Sequence, residues 1–208
     1  MDFWFVWKKT ISDINRSTQF ADPSDSNVVS YELGLLDELV AGKYNFDGLN
    51  LDYIRYAGAW DCPEKGCKWL VNPTAIEDFV KTVRKRYPKI ILSADLFPRK
   101  DVRIAIGQNG IIGDLDIAID MAYTKFAISN SYEIGISLNE MKKDYPNAHI
   151  VPLLRGWIVG KRDLTLISGL KADVNIAKSF SKDWGIFTYE SLLIQSGRSL
   201  SEILKEVE

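Results

Sequence analysis

The chain has 208 residues, which is enough for one well-packed core and predicts a single domain over residues 1–208. Its 26 Lys and Arg residues nearly balance its 28 Asp and Glu residues, so the charge predicts no nucleic-acid partner. No apolar run approaches the roughly 20 residues that a membrane-spanning helix needs. The first residues also lack the basic segment and cleavage site of a secretory signal, and they leave the localisation undetermined.

Hydrophobic periodicity along the chain predicts strands that alternate with helices. The expected strands are residues 3–7, 48–53, 89–95, 115–122, 150–154 and 184–189. The expected helices are residues 28–40 after a start at 22–26, 76–87 after a cap at Asn72, 132–144, 166–180, and a last one after a capping box at 199–202. This alternation predicts an α/β fold with a parallel sheet and helices packed against it. No glycine-rich phosphate loop follows a predicted strand, which disfavours a nucleotide-binding open sheet.

The segment FDGLNLDYIRY, residues 46–56, is the most informative part of the chain. It has the apolar character of a buried strand, yet Asn50 and Asp52 stand on one side of it. A carboxylate at the end of a buried strand is costly to desolvate unless it is paired or used. In barrels of alternating strands and helices, the carboxyl ends of the strands carry the active site. The segment therefore indicates an enzyme that works with carboxylates.

Side chains alternate between the two faces of a strand, and this alternation places small or polar residues on one face of four predicted strands. Crowded carboxylates drive their pKa values apart, so that one can act as an acid while another stays ionised. Glycoside hydrolysis requires this division of roles. The residues expected on the inward face are Asn50, Asp52, Ile54, Ser93, Asp95, Ala118, Asp120, Ile186, Thr188 and Glu190, whereas Tyr53 is expected to face the helices.

Three motifs occur in an order that is similar to a known group of proteins. Asp22 and Pro23 precede a helix and then residues 46–56; SADLF follows at 93–97; and Gly107, Gln108 and Asp116 precede MAY at 121–123. This pattern resembles the glycoside-hydrolase-like barrel families over residues 1–125, and more weakly as far as Tyr189. It departs from them at Ala57, where proline is usual, and at Pro98, where glycine is usual.

The resemblance implies a TIM-type (β/α) barrel in which residues 3–7 form the third strand. Two strand-helix units would then be missing, and about six would remain in an incomplete barrel. Because incomplete barrels expose strand edges, self-association is one way in which the barrel could close. The families also imply a secreted or cell-envelope location. A more distant similarity to the chitinase family places Ile54 where that family has its catalytic glutamate, so no mechanism based on that acid is expected.

We predict that three carboxylates carry the chemistry. Asp52 is the expected nucleophile or base, with a structural ion pair to Arg55 as its alternative. Asp95 is the expected general acid or ligand of a substrate hydroxyl, with loop capping as its alternative, and Glu190 is the alternative acid. The residues expected to bind substrate are Asn50, Tyr53, Arg55, Tyr56, Asp120, Tyr123, Arg155 and Trp157. Asp120 and Tyr123 are expected to line the pocket, Arg155 to hold an anionic group, and Tyr53, Tyr56, Trp60 and Trp157 to form sugar platforms. For these pocket, anion and platform roles the alternative is plain packing or solvation.

Cys62 and Cys67 are separated by four residues that include Pro and Gly. The spacing predicts either a loop disulfide or two free thiols. A zinc site would need two further ligands, and His149, at the predicted start of a strand, is the one histidine of the chain. No metal and no cofactor are predicted.

The leading functional hypothesis is a hydrolase of O-glycosidic bonds in a polysaccharide or a cell-envelope glycan, with an oligo- or polysaccharide as its partner. The first alternative is a catalytically inactive carbohydrate-binding or scaffold protein derived from a glycosidase barrel. The second alternative is a different barrel hydrolase or lyase that uses an aspartate cluster with a divalent cation.

Overall fold

In the computed structural model, the described residues are 22–42, 46–56, 72, 74–157, 166–188, 190, 192–193, 197 and 199–207. Their strands are β1 (Gly48–Leu51), β2 (Ile91–Leu96), β3 (Ile117–Asp120), β4 (His149–Arg155) and β5 (Gly185–Phe187). Their α-helices are α1 (Ser26–Ala41), α2 (Ala75–Arg86), α3 (Lys100–Ala105), α4 (Ser131–Asp144), α5 (Leu166–Phe180) and α6 (Leu200–Val207), and a 3-10 helix spans Asn109–Asp114. The fold is mixed α/β, with five parallel strands whose order in the sheet follows the chain.

The chain divides into two compact units. The first unit contains Met1–Asp95 and Asp101–Ile117, and the second contains Leu96–Lys100 and Ala118–Glu208. The single domain over residues 1–208 and the barrel type of the fold stay predictions.

In the first unit, β1 and β2 pair in parallel from Gly48↔Ile91 to Leu51↔Ala94. Side chains of β1 alternate between half-buried and buried, as expected for a strand with one covered face. The amphipathic helix α2 turns its apolar side inward. The buried side chains of these three elements include Leu49, Leu51, Leu92, Ala94, Ile76, Phe79, Val80 and Val83.

Polar contacts at the first residues of two helices explain where those helices begin. The carboxylate of Asp25 caps α1 by accepting a hydrogen bond from the backbone of Asn27 at 2.8 Å. At α6, the predicted capping box is confirmed: Ser199 Oγ accepts from the Glu202 amide at 3.4 Å, and Glu202 Oε2 accepts from the Ser199 amide at 2.8 Å. Because each of these contacts joins residues two or three positions apart, the starts of both helices could be predicted from the sequence.

In the second unit, β4 and β5 pair in parallel from Leu153↔Gly185 to Arg155↔Phe187. Helices α4 and α5 pack against each other, and α5 also packs against α6. At Gly135 a β-carbon would come within 3.0 Å of the Phe180 ring, so the absence of a side chain there lets the ring lie against the α4 backbone. Within the described residues, no helix is both long and apolar enough to cross a membrane.

The structure corrects several boundaries. The strands β1, β3 and β5 are shorter than expected, whereas β4 extends by one residue beyond each end of the strand predicted at 150–154. Helix α3 and the 3-10 helix were not predicted. The expected strand at 3–7 and residues 57–71, which include Trp60, Cys62 and Cys67, lie outside the described residues.

Candidate active site

A hydrogen-bonded group of polar side chains lies at the carboxyl ends of β1 and β2. Asn50 Nδ2 donates to Asp95 Oδ2 at 2.7 Å, and Ser93 Oγ donates to Asn50 Oδ1 at 2.7 Å. Asp95 is buried, with 9% of its surface exposed. These bonds confirm that Asn50, Ser93 and Asp95 share one face of the sheet, which is what the alternation along each strand predicted.

Asp52 and Asp95 are the residues that directly follow the last pair of β1 and β2, which is Leu51↔Ala94. Adjacent strands lie about 4.8 Å apart. Asp52 is half-buried, and its Oδ1 accepts a hydrogen bond from the Tyr53 amide at 2.7 Å. Two of the three predicted catalytic carboxylates therefore lie where the pairing of β1 and β2 ends.

The alternation of faces stops immediately after Asp52, and the prediction that Tyr53 faces the helices is wrong. Tyr53 has a φ of 55°, a left-handed backbone conformation that turns the chain out of the strand. As a result Tyr53 is 37% exposed instead of facing the helices, and Ile54 is fully buried. A residue in this conformation cannot be identified from apolar alternation.

Arg55 and Tyr56 lie within this turn. The Arg55 guanidinium stands 5.1 Å from the centre of the Tyr53 ring, and its Nη1 donates to the Tyr56 carbonyl at 3.2 Å. Tyr56 is 1% exposed, and its hydroxyl accepts from the Asn72 amide at 3.2 Å. Burial raises the pKa of Tyr56, while the hydrogen bond from Asn72 partly opposes that shift. Their predicted roles in substrate binding stay predictions.

The buried side-chain amide of Gln108 contacts the backbone of Asp95. Gln108 is fully buried, and its Nε2 donates to the backbone carbonyl of Asp95 at 3.0 Å. Gly107, with a φ of 79°, makes the turn that carries Gln108. Both residues belong to a motif of the sequence, but no role was predicted for Gln108. The sequence feature that could have indicated this role is a glutamine directly after a glycine and close to a predicted strand.

The second unit has a cluster of four aromatic side chains, Tyr123, Phe126, Trp157 and Phe187, beyond the carboxyl ends of β3 and β4 and at the end of β5. Trp157 is central to this aromatic cluster: its ring centre lies 4.8 Å from that of Tyr123, 5.8 Å from that of Phe126 and 6.1 Å from that of Phe187. All three contacts are edge-to-face, a favourable arrangement for aromatic rings. Phe126 is 68% exposed and Phe187 39%, so part of the cluster faces solvent.

A buried carboxylate that the sequence analysis did not assign lies near this cluster. Asp173, on α5, accepts hydrogen bonds from Thr124 Oγ1 at 2.7 Å and from Ser131 Oγ at 2.5 Å. Burial raises the pKa of Asp173, and the two hydroxyls together with Arg155 and Lys125 partly lower it. Its position on the same side of α5 as Leu170 and Val174 could have indicated a buried polar residue.

The remaining predicted residues lie in the second unit. Asp120 is fully buried, and its Oδ2 accepts from Ser137 Oγ on α4 at 2.7 Å. Arg155 is buried and donates through Nη1 to the Trp157 carbonyl. Glu190 is exposed. The predicted roles of these residues are not tested by this geometry.

Among the residues that the structure describes, no group of three or more His, Cys, Asp or Glu side chains could hold a metal ion.

The comparison with protein-family models gave no match, and neither did the comparison with curated protein sequences. Among solved structures, the chain is similar to catalytic domain 2 of the Group II chitinase of Ostrinia furnacalis, with 19% sequence identity and a TM-score of 0.46. The similarity covers 66% of this chain and 43% of that one, so the chain matches less than half of that structure.

Proposed function

We propose that this chain hydrolyses O-glycosidic bonds in a polysaccharide or a cell-envelope glycan. The observation that carries the proposal is the hydrogen bond from Asn50 to the buried Asp95, with Asp52 and Asp95 directly after the last pair of β1 and β2. Most glycosidases catalyse the reaction with two carboxyl groups on either side of the scissile bond. In barrels of parallel strands, the catalytic residues lie at the carboxyl ends of the strands.

In the proposed reaction, Asp95 is the general acid. Its carboxyl group gives a proton to the glycosidic oxygen as the bond from that oxygen to the anomeric carbon breaks. The Asn50 amide holds Oδ2, which fixes the orientation of the carboxyl group. A proton donor held in a fixed orientation transfers its proton faster than a mobile one, because the proton must be directed at one oxygen of the substrate.

Asp52 is the proposed nucleophile. Its carboxylate attacks the anomeric carbon and forms a glycosyl ester, and water then cleaves the ester while Asp95 takes up the proton from that water. Retaining glycosidases have carboxyl groups about 5–5.5 Å apart, and inverting ones about 6.5–9.5 Å apart. Because Asp52 and Asp95 each directly follow the last pair of two adjacent strands, we favour retention of the anomeric configuration.

The second candidate is a catalytically inactive carbohydrate-binding protein. The partly exposed aromatic cluster of the second unit favours this candidate, since flat apolar rings stack on sugar faces without any chemistry. The hydrogen bonds that already engage Asp52 and Asp95 are equally compatible with a binding role.

One experiment separates the two candidates. Calorimetric titration of the chain with a panel of oligosaccharides is run in parallel with detection of new reducing ends in the same samples. Heat of binding together with new reducing ends supports the hydrolase, and binding without new reducing ends supports the inactive protein. Neither signal on any glycan of the panel would overturn both candidates.

A further inference from the structure

Residues 106–108 contact the chain at two places beside the candidate site. The Ile106 carbonyl accepts a hydrogen bond from the Tyr56 amide at 2.9 Å, and Gln108 Nε2 donates to the Asp95 carbonyl at 3.0 Å. Tyr56 belongs to the turn after β1, and Asp95 lies near the end of β2. Three consecutive residues therefore bind the backbone of both segments that carry the proposed catalytic carboxylates.

Both contacts are shielded from water. Ile106, Tyr56 and Gln108 are each at most 1% exposed, and Asp95 is 9% exposed. Strand β1 stops pairing with β2 one residue before Asp95. A buried backbone carbonyl needs a hydrogen-bond donor, and the side chain of Gln108 supplies one to Asp95. Loss of this donor would leave a buried polar group without compensation for its lost hydration.

Gly107 makes both contacts possible. Its φ of 79° lies in the left-handed region, which residues with a side chain disfavour. A β-carbon at this position would come within 3.3 Å of the Tyr56 ring and of Ile76. The glycine therefore lets the backbone approach Tyr56, and its turn places Gln108 in contact with Asp95 one residue later.

Helix α3 anchors residues 106–108. The Ile106 amide donates to the Val102 carbonyl at 3.1 Å, and the Gln108 amide donates to the Arg103 carbonyl at 2.8 Å. The side chain of Arg103 is fully buried. Because residues 106–108 are themselves held by a helix, they can restrict the motion of the groups that they bind.

We propose that residues 106–108 hold the two carboxylate-bearing segments in place, and that Gln108 is a positioning residue for Asp95. Gln108 holds the backbone of Asp95, whereas Asn50 holds its carboxyl group. Ile106 holds the turn after β1. The reacting groups of an enzyme must keep a defined distance and direction, so a freely moving backbone at Asp95 would slow proton transfer.

The first test uses the wild-type chain and needs no ligand. The side-chain amide hydrogens of Gln108 and of the exposed Asn27 are assigned by NMR, and their rates of exchange with solvent are compared. Those of Gln108 should exchange at least tenfold more slowly, because this amide is buried and donates to Asp95. Equal rates for the two side chains would overturn the proposal.

Gln108→Met tests the contact with Asp95, because it removes the donor and keeps a side chain of similar length. Hydrogen exchange of the backbone should become tenfold or more faster in a peptide covering 91–95, and much less so in one covering 76–83 on α2. Lys85→Met, an exposed change on α2, should leave both peptides unchanged. Wild-type exchange in folded Gln108→Met, or an equal rise in both peptides, would overturn the role of Gln108.

Gly107→Ala tests the contact with Tyr56. The left-handed φ and the close approach to the Tyr56 ring mean that a methyl group must disturb the turn. Exchange should therefore rise in a peptide covering 48–56 as well as in 91–95. Wild-type exchange in both peptides of folded Gly107→Ala would contradict the proposal. If neither variant folds, the wild-type NMR comparison decides.

The catalytic role of this positioning rests on the proposed function. Gln108→Met should lose at least tenfold more activity on a natural oligosaccharide than on an aryl glycoside with a good leaving group, because only the natural substrate needs the proton. An equal loss on both substrates would overturn the positioning role. If the wild type hydrolyses no glycan, the proposed function fails, and the NMR and exchange results still decide whether residues 106–108 hold both segments.

Discussion

Asn50 and Asp95 join adjacent strands through their side chains, with 2.7 Å between Nδ2 and Oδ2. Ser93 holds the other end of the same amide, at 2.7 Å from Asn50 Oδ1. The orientation of Asp95 therefore depends on Asn50 directly and on Ser93 only through Asn50.

Because Asn50 contacts Asp95 directly and Ser93 does not, we predict that Asn50→Ala lowers the free energy of unfolding more than Ser93→Ala does. Asn50→Ala removes a donor from a buried carboxyl group and should lower the free energy of unfolding by about 1.5–3 kcal/mol. Ser93→Ala removes a neutral hydrogen bond and should cost about 1 kcal/mol. Urea denaturation of both variants measures the difference. Equal losses would mean that Asn50 does not support Asp95.

A second prediction concerns Glu32, which lies on the buried side of α1 beside Leu33. Burial raises the pKa of Glu32 from 4.5 to about 7. The folded state therefore holds this proton more tightly than the unfolded state does. The contribution of Glu32 to stability is fully present below pH 4.5 and is lost as the pH rises through about 7.

Glu32→Gln tests this prediction because it keeps the shape of the side chain and removes the titration. Above pH 7 the variant should be more stable than the wild type by about 1–3 kcal/mol, since one pKa unit corresponds to about 1.4 kcal/mol. Urea denaturation at pH 4 and at pH 8 gives the two differences. A difference that does not change with pH would rule out a buried, titrating Glu32.

Much of the fold could be predicted from sequence where the signals are local. The bounds of α5 agree with the apolar periodicity, and the start of α6 agrees with the Ser199 and Glu202 pair. Helix α3 was missed because its six residues are too few to show a helical period. The turn at Tyr53 was missed because a positive φ at a non-glycine residue leaves no mark in the apolar pattern.

The candidate site could be predicted only in part, because only some of its residues follow a local sequence pattern. Alternation alone placed Asn50 and Asp95 on one face, and their hydrogen bond agrees with that placement. Gln108 and Asp173 were missed because their roles depend on partners 13 to 49 residues away. Such distant pairing of polar groups is set by the packing of the chain and has no local sequence signature.

A third prediction identifies the general acid. Asp95→Asn and Glu190→Gln are compared on an aryl glycoside with a good leaving group and on a natural oligosaccharide. The variant that lacks the acid should keep much more of its activity on the aryl glycoside, because a good leaving group departs without a proton. We expect this pattern for Asp95→Asn. The same pattern for Glu190→Gln, with Asp95→Asn unaffected, would transfer the role to Glu190.

The most direct test of the account is the release of reducing ends from a glycan panel by the wild type, Asp52→Asn and Asp47→Asn. The side-chain amide oxygen that Asp52→Asn introduces can still accept from the Tyr53 amide, so this variant should keep the fold. Exposed Asp47 provides a matched control just before the same strand. We predict hydrolysis by the wild type and by Asp47→Asn, and a loss of roughly 10²–10⁴-fold in Asp52→Asn. A wild-type rate in folded Asp52→Asn would contradict the account.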